Sequence, residues 1–264
     1  SLQDYVDRMP ENQKAIYFIA SESVEKIKQM PVLEDAVARD IEVIYMIDAI
    51  DEYVVGHVTD FSGKKLTNLA KDGVKFDKTK KDKAIEKKRE EKYEPLITWF
   101  KNLAGSRVTK VTLTSRKVTE PLLMVSTQHG QSVNAWRIAK GQTLGERSTA
   151  EGGDNSVKGV LEINYRHPLI DEIFKRIKVD PKDSVAEDTG LVLFDTAAMQ
   201  NGFEVTDSQA FSKRVNRLVR QSVDIAVDAP LITEDLNQYD VVDAEEDEKT
   251  DDSDKAESDK KDEM

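Results

Sequence analysis

The chain has 264 residues, 38% of them hydrophobic, no cysteine and a formal charge of −12. Lack of cysteine excludes disulfides, thiolate metal sites and thiol nucleophiles, and the low apolar share implies that part of the chain cannot bury a core. No apolar run approaches the roughly 18 residues that span a bilayer, so membrane insertion is not expected.

The start, Ser1-Leu2-Gln3-Asp4, has no initiator Met and no basic segment followed by an apolar one; it reads as an internal cut rather than a signal peptide. Ala15 to Ala20 and Glu42 to Ile47 are short apolar runs rich in β-branched and aromatic residues, the pattern of buried strands. Between them Val24, Ile27, Val32, Leu33, Ala36 and Val37 recur at near-helical spacing, broken at Pro31. Strand, helix, strand predicts a βαβ unit with parallel strands. A helix from Asp51 to about Val58, a strand from Lys65 to Ala70 and a turn at Lys71-Asp72-Gly73 complete a small α/β module.

A boundary is expected near Phe76, where composition changes. From Asp77 to Lys92 the chain is dominated by Lys, Arg, Asp and Glu, which predicts a solvated helix, and Pro95 is expected to open a new one carrying Leu96, Ile97, Phe100 and Leu103. Residues 107–114 alternate apolar and polar side chains and Leu122 to Thr127 is a second strand, the two expected as a hairpin or as neighbours. Gly141 to Ser156, with four glycines, reads as a mobile loop. Val160 to Tyr165 resumes a strand, and Pro168 starts a helix through Leu169, Ile173 and Ile177.

The last folded section is the most periodic. From about Glu187 to Gln200, Leu191, Phe194, Ala197, Ala198 and their neighbours run nearly all round one helix, ended at Asn201-Gly202. A second helix, N-capped by Thr206 or Asp207, sets Phe211, Val215, Leu218, Val219 and Val223 on one face, with Lys213, Arg214, Arg217 and Arg220 elsewhere. A helix apolar nearly all round must be met by the domain's own sheet or by another subunit. From Asp240 to Met264 thirteen Asp/Glu stand against four Lys/Arg, so the acidity belongs to a solvating, disordered tail.

Chemistry-bearing patterns are few. There is no GxGxxG or Walker-type loop, and Gly152-Gly153 lacks a preceding strand. His57, His129 and His167 have no partner at zinc-binding spacing, so no metal site is expected. Asp51 and Glu52 point to different helix faces and serve better as helix-start acids than as a catalytic pair. The Lys-rich run from Lys78 has interleaved acids and no stacking aromatics, which argues against nucleic acid.

Several segments resemble the end of the middle domain and the C-terminal domain of the ninety-kilodalton heat-shock chaperone family. They include Ile16-Tyr17-Phe18, Glu42-Val43-Ile44-Tyr45-Met46, Ile50-Asp51-Glu52-Tyr53, Phe61-Ser62-Gly63-Lys64, Glu162-Ile163-Asn164, Leu193-Phe194 and Gly202-Phe203. Ala70 to Phe76 and Arg166-His167-Pro168-Leu169-Ile170 look more like the family's endoplasmic-reticulum branch than its cytosolic one. So does Lys261-Asp262-Glu263-Met264, one residue from the retrieval signal KDEL.

The resemblance implies an α/β segment over 1–76, a mixed α+β dimerisation domain over 77–230 ending in a helix pair, and a disordered acidic tail over 231–264. It implies a homodimer through a four-helix bundle, with Leu191, Phe194, Ala197, Ala198, Phe211, Val215, Leu218 and Val219 at the interface. It also implies unfolded client proteins and a retrieval receptor as partners. ATP and magnesium would belong to the full-length parent, an ATPase, with no catalytic residue or cofactor in this chain, and the lumen of the endoplasmic reticulum rather than the cytoplasm would be its compartment.

The chain departs from the family where two methionines form an exposed client-binding helix. Here Ala135 and Ala139 replace them, leaving Val133 and Trp136 as the expected client contacts. Two other readings compete: a lumenal scaffold without chaperone activity, and a small α/β enzyme in residues 1–76 using Asp51, Glu52 and His57.

Overall fold

Residues 1–11, 13–74, 76, 80–142 and 157–234 are described in the computed structural model. The chain opens with helix α1 (Leu2–Arg8), which composition did not announce; Ser1 caps it by accepting from the Asp4 amide. Strand β1 (Ala15–Ala20) follows, buried along almost its whole length. It is the second strand of a four-stranded sheet, flanked in parallel by β2 (Ile44–Met46) and β4 (Lys64–Asn68). That central position is why its sequence is continuously apolar: both faces and both edges are covered.

The expected crossover is present in two pieces. Helix α2 (Val24–Gln29) ends before Pro31, a 3₁₀ turn spans Pro31–Leu33, and α3 (Glu34–Val37) finishes the passage to β2. Helix α4 (Ala49–His57) leads to a hairpin of β3 (Asp60–Phe61) and β4. Its two-residue loop, Ser62-Gly63, has φ of 48° and 72°, the left-handed pair that suits a tight hairpin turn.

Helix α5 (Lys80–Ala104) runs straight through Pro95, which therefore does not start a new helix. Pro95 lies on the exposed side, where the Glu91 carbonyl that loses its donor faces water, so the helix continues at modest cost. Its inner face buries Leu96, Phe100 and Ala104.

The second sheet corrects the expected hairpin. β5 (Val108–Leu113) and β6 (Leu122–Ser126) are not neighbours; β7 (Gly159–Ile163) lies between them, parallel to β5 and antiparallel to β6. Every residue of β7 is buried, and Gly159 is required there. A Cβ would stand 2.7 Å from the Val125 carbonyl oxygen and 2.8 Å from the Phe203 ring. Between β6 and β7 comes α6 (Val133–Gln142), so the expected loop's first two residues are helical and the rest of it lies outside the described residues.

Helices α7 (Pro168–Val179), α8 (Ser184–Gln200) and α9 (Ser208–Ser222) close the fold. α7 buries Ile170, Ile173, Phe174 and Ile177, whereas Leu169 is exposed. α8 packs on α5 closely enough that a Cβ at Gly190 would meet Leu103 and Trp99 at 2.8 and 2.9 Å. It ends as expected: Asn201 is the C-cap and Gly202 takes φ of 78°. Ser1 to Asp224 form one compact unit, so the position near Phe76 falls inside it. From Ile225 the described residues hold only a turn, Ala229 N–H to the Ala226 carbonyl at 3.1 Å. The acidic tail from residue 235 lies outside the described residues.

Main-chain hydrogen bonds and the side chain of Arg116 link the two sheets. The Ser126 amide donates to the Ala70 carbonyl and the Asp72 amide to that of Ser126, at 2.9 and 2.7 Å. Beside this bridge Arg116, 3% exposed, donates to the Leu69 and Lys71 carbonyls at 2.9 and 2.8 Å and to Glu162 of β7 at 3.2 Å. The Thr114 hydroxyl donates to the same carboxylate oxygen at 2.7 Å.

Removing one partner of such a buried pair strands the other, so Arg116→Met is expected to destabilise the chain by about 3–5 kcal/mol. Arg116→Met/Glu162→Leu should lose at least about 1 kcal/mol less, because no uncompensated carboxylate remains. Urea unfolding of the three proteins checks both statements, and an Arg116→Met loss below about 1 kcal/mol would contradict them.

Candidate functional site

Two surfaces concentrate the side chains singled out in the sequence. The first is the α8–α9 pair. The Asp183 carboxylate caps α8 at the Ala186 amide, 2.7 Å, and Asp207 caps α9 at the Ala210 amide, 2.8 Å. Of the eight expected interface residues, Leu191, Phe194, Ala197 and Ala198 face inward and are buried. Phe194, Ala197 and Ala198 belong to the core around Leu161 and Ile163, and the Phe194 ring lies 4.3 Å below the Arg107 guanidinium. The domain's own sheet and α5 thus meet that face of the helix.

The other four, on α9, stay accessible. Phe211, Val215 and Leu218 are half-buried, Val219 is 53% exposed, and no residue of α9 is buried. Met199 and Val223 add exposed apolar surface nearby in sequence. α9 is held to α8 by charge. Arg217 pairs with Asp188 at 2.6 Å, and Arg214 with Asp195 at 3.5 Å, so these two arginines turn toward α8 rather than to open solvent. Asp195 is itself buried and also accepts from Arg107 at 2.9 Å. Burial pushes its carboxyl above the usual carboxylate range despite Arg107 and Arg214.

The second surface is formed by α6 and α4. Ser132 caps α6: its hydroxyl accepts from the Ala135 amide at 2.9 Å. Glu52 of α4 accepts from the Ser132 hydroxyl and the Asn134 amide, at 2.9 and 3.0 Å, so one carboxylate fixes where α6 begins. Val133, one of the two expected client contacts, is buried in the core rather than exposed. Trp136 is half-buried and lines a small cavity with Met124, Phe194, Ala198 and Phe203. The Lys140 ammonium sits 4.7 Å from its ring and pairs with Glu204 at 2.6 Å.

Sequence reading missed α4 as a surface. None of its residues is buried; Ile50, Tyr53 and Val54, at i, i+3, i+4, are exposed, as are flanking Ile47 and Val58. The signal was available in the apolar spacing, but an amphipathic helix read alone does not say whether its stripe is covered. Tyr53 also reaches the Gln142 side chain of α6 at 3.5 Å.

The residues of the competing enzyme reading are not brought together. Asp51 accepts from the Asp48 amide at 3.1 Å, Glu52 serves α6, and the His57 ring contacts the Tyr53 carbonyl at 2.7 Å. Among the described residues no group of three or more His, Asp or Glu stands where it could hold a metal ion, and no helix is long and apolar enough to cross a membrane. His167 is the N-cap of α7, accepting from the Leu169 amide at 3.1 Å. The expected retrieval residues, Lys261, Asp262, Glu263 and Met264, lie outside the described residues.

Known proteins sharpen the assignment. Two curated relatives, each called "Endoplasmin homolog", come from Leishmania donovani and Leishmania infantum. Each is 48% identical over 250 residues, which is 93% of this chain and 32% of the relative. The chain thus spans about a third of the length of the relatives it matches. The family described as "Hsp90 protein" matches residues 1–260, and with that match covering nearly every residue, the chain belongs to the Hsp90 family.

Proposed function

We propose that this chain is the C-terminal portion of an ATP-dependent chaperone of the endoplasmic reticulum, supplying the parent's dimer contact and part of its client-binding surface. Family membership supports the chaperone reading, and the relatives' names support the compartment. On this reading ATP, magnesium and the hydrolytic machinery belong to the remaining two-thirds of the parent, and this segment does not turn ATP over. Residues 1–76 act as the end of the parent's middle domain, 77–230 as its dimerisation domain and 231–264 as an acidic solvating tail.

The observation that carries the dimer is α9. An amphipathic helix with no buried residue, clamped on one side to α8 through Arg214 and Arg217, keeps Phe211, Val215, Leu218 and Val219 available for a second copy. The inner four of the expected interface residues act indirectly, by seating α8 on the core. Client contact is assigned to the α4–α6 surface, where Ile50, Tyr53, Val54 and Trp136 offer apolar and aromatic area that Ala135 and Ala139 do not. Aromatic residues of this kind dominate contact energetics because they add large rigid area with few rotatable bonds.

Three outcomes follow from this reading. The wild-type chain should sediment as a dimer at about 10 μM, and Leu218→Asp, which buries an unpaired charge at the interface, should weaken the dimer by at least about 100-fold. A wild-type monomer at that concentration would remove the dimer reading. In the full-length parent Tyr53→Ala and Trp136→Ala should each weaken binding of an unfolded client by roughly tenfold or more. The Trp136 variant should keep its melting temperature nearly unchanged; a stability loss of about 3–5 kcal/mol with intact client binding would make it a core residue instead. Finally, a secreted reporter ending in Lys261–Met264 should be retained in cells, since Met in place of Leu preserves length and apolarity in a receptor pocket. Secretion as fast as that of the untagged reporter would count against the compartment.

A further inference from the structure

A cavity of about 290 Å³ lies where α2, the ends of β1 and β6, α6 and the C-terminus of α8 meet. Its chemistry is one-sided: Lys26 and Arg137 line it, and no Asp or Glu does. Both cations share one carboxylate, that of Glu22, which accepts from the Lys26 ammonium and from Nη1 of Arg137. The hydrogen bond from Lys26, helped by the charge of Arg137, holds the Glu22 carboxyl below the usual carboxylate range. Glu22 and Glu52, the latter accepting from the lining Ser132 and Asn134 side chains, stand behind the wall, so the charged groups that line the cavity itself are both cations.

Arg137 is also anchored there, because Nη2 donates to the Gly202 carbonyl at 3.0 Å. Deeper in, Asn68 is more than nine-tenths buried. Its Oδ1 accepts from the Ala70 amide at 2.8 Å, which leaves its amide nitrogen as a donor with no partner among the described residues. This donor is open to an acceptor brought by a ligand. Met124, Val133, Met199 and Phe203 form an apolar patch in a wall that is otherwise largely of uncharged polar side chains.

We propose that this cavity binds a small organic anion, with its carboxylate or phosphate head between Lys26 and Arg137, an acceptor oxygen on the Asn68 amide, and its body against Met124 and Phe203. The space stands at the lower end of small-molecule sites, which span roughly 300–1,000 Å³, and admits a compact metabolite rather than a polypeptide. Its walls come from both sheets, from α6 and from α8. An occupant therefore ties the client-facing α6 to the first module and stabilises that arrangement by mass action.

The test is calorimetry on the 264-residue chain at constant ionic strength with three probes: phenyl phosphate, benzoate and neutral benzyl alcohol. Saturable single-site binding is expected for at least one anion and not for the alcohol, and whichever anion binds more tightly identifies the head group. Affinity should fall roughly tenfold or more in Arg137→Gln and in Lys26→Gln, and stay unchanged in Lys213→Gln, an exposed lysine of α9 that does not line the cavity. Lys26 is 55% exposed on a surface helix, so its variant keeps the fold even where Arg137→Gln shifts α6. No saturable binding of either anion up to about 10 mM would overturn the proposal, as would equal loss in Lys213→Gln or no loss in Lys26→Gln.

Discussion

The guanidinium of Arg116 sits where the last strand of the first sheet hands over to the edge of the second, with each of its three nitrogens engaged as a donor. Two donors hold the carbonyls of Leu69 and Lys71, and a third meets Glu162 near the end of the central strand β7. A charged pair this deeply buried contributes little net stability over an apolar pair of the same shape. What it contributes is position. Carbonyls at the end of a strand and a carboxylate in a neighbouring sheet are satisfied together in only one relative placement of the two sheets. The backbone bridge at Ser126 then extends along the same seam, and Val125 and Val160 of the second sheet complete the core of the first.

From that seam the rest of the arrangement follows outward. Met124 and Phe203 close over Gly159, which places the end of α8 beside the start of α6. Arg137 then reaches both Glu22 and Gly202, and Lys140 reaches Glu204. α6 is therefore secured mainly by long polar side chains and by the Glu52 cap, with Val133 as its one buried apolar anchor. Such a helix is expected at the low-stability end of the fold, where adaptable contact surfaces are drawn from.

α8 and α9 divide the labour of a terminal helix pair differently from what their patterns suggested. α8 is satisfied by its own chain: Gly190 admits Trp99 and Leu103, and Phe194 and Ala197 enter the core. Two of its carboxylates, Asp188 and Asp195, serve as sockets for Arg217 and Arg214 of α9. With this electrostatic clamp, no residue of α9 is buried and its apolar stripe stays partly accessible. The desolvated Asp195 is tolerated because two guanidinium groups approach it, although burial still dominates its proton affinity.

Local features were legible before any fold was known. The continuous apolar run of Ala15–Ala20 announced a covered strand, Pro31 announced a break, and Asp207 and Asn201-Gly202 announced helix ends. These depend on the backbone preferences of a few adjacent residues, so sequence by itself determined them. Pro95 misled because a proline's penalty depends on which side of the helix it faces. Strand order in the second sheet, the inward turn of Phe194 and Ala197, the exposure of Ile50 and Tyr53, and the pairing of Arg116 with Glu162 were decided only by the tertiary structure. Each depends on which surface arrives from tens of residues away, and hydrophobic periodicity records that a face is apolar without recording what covers it.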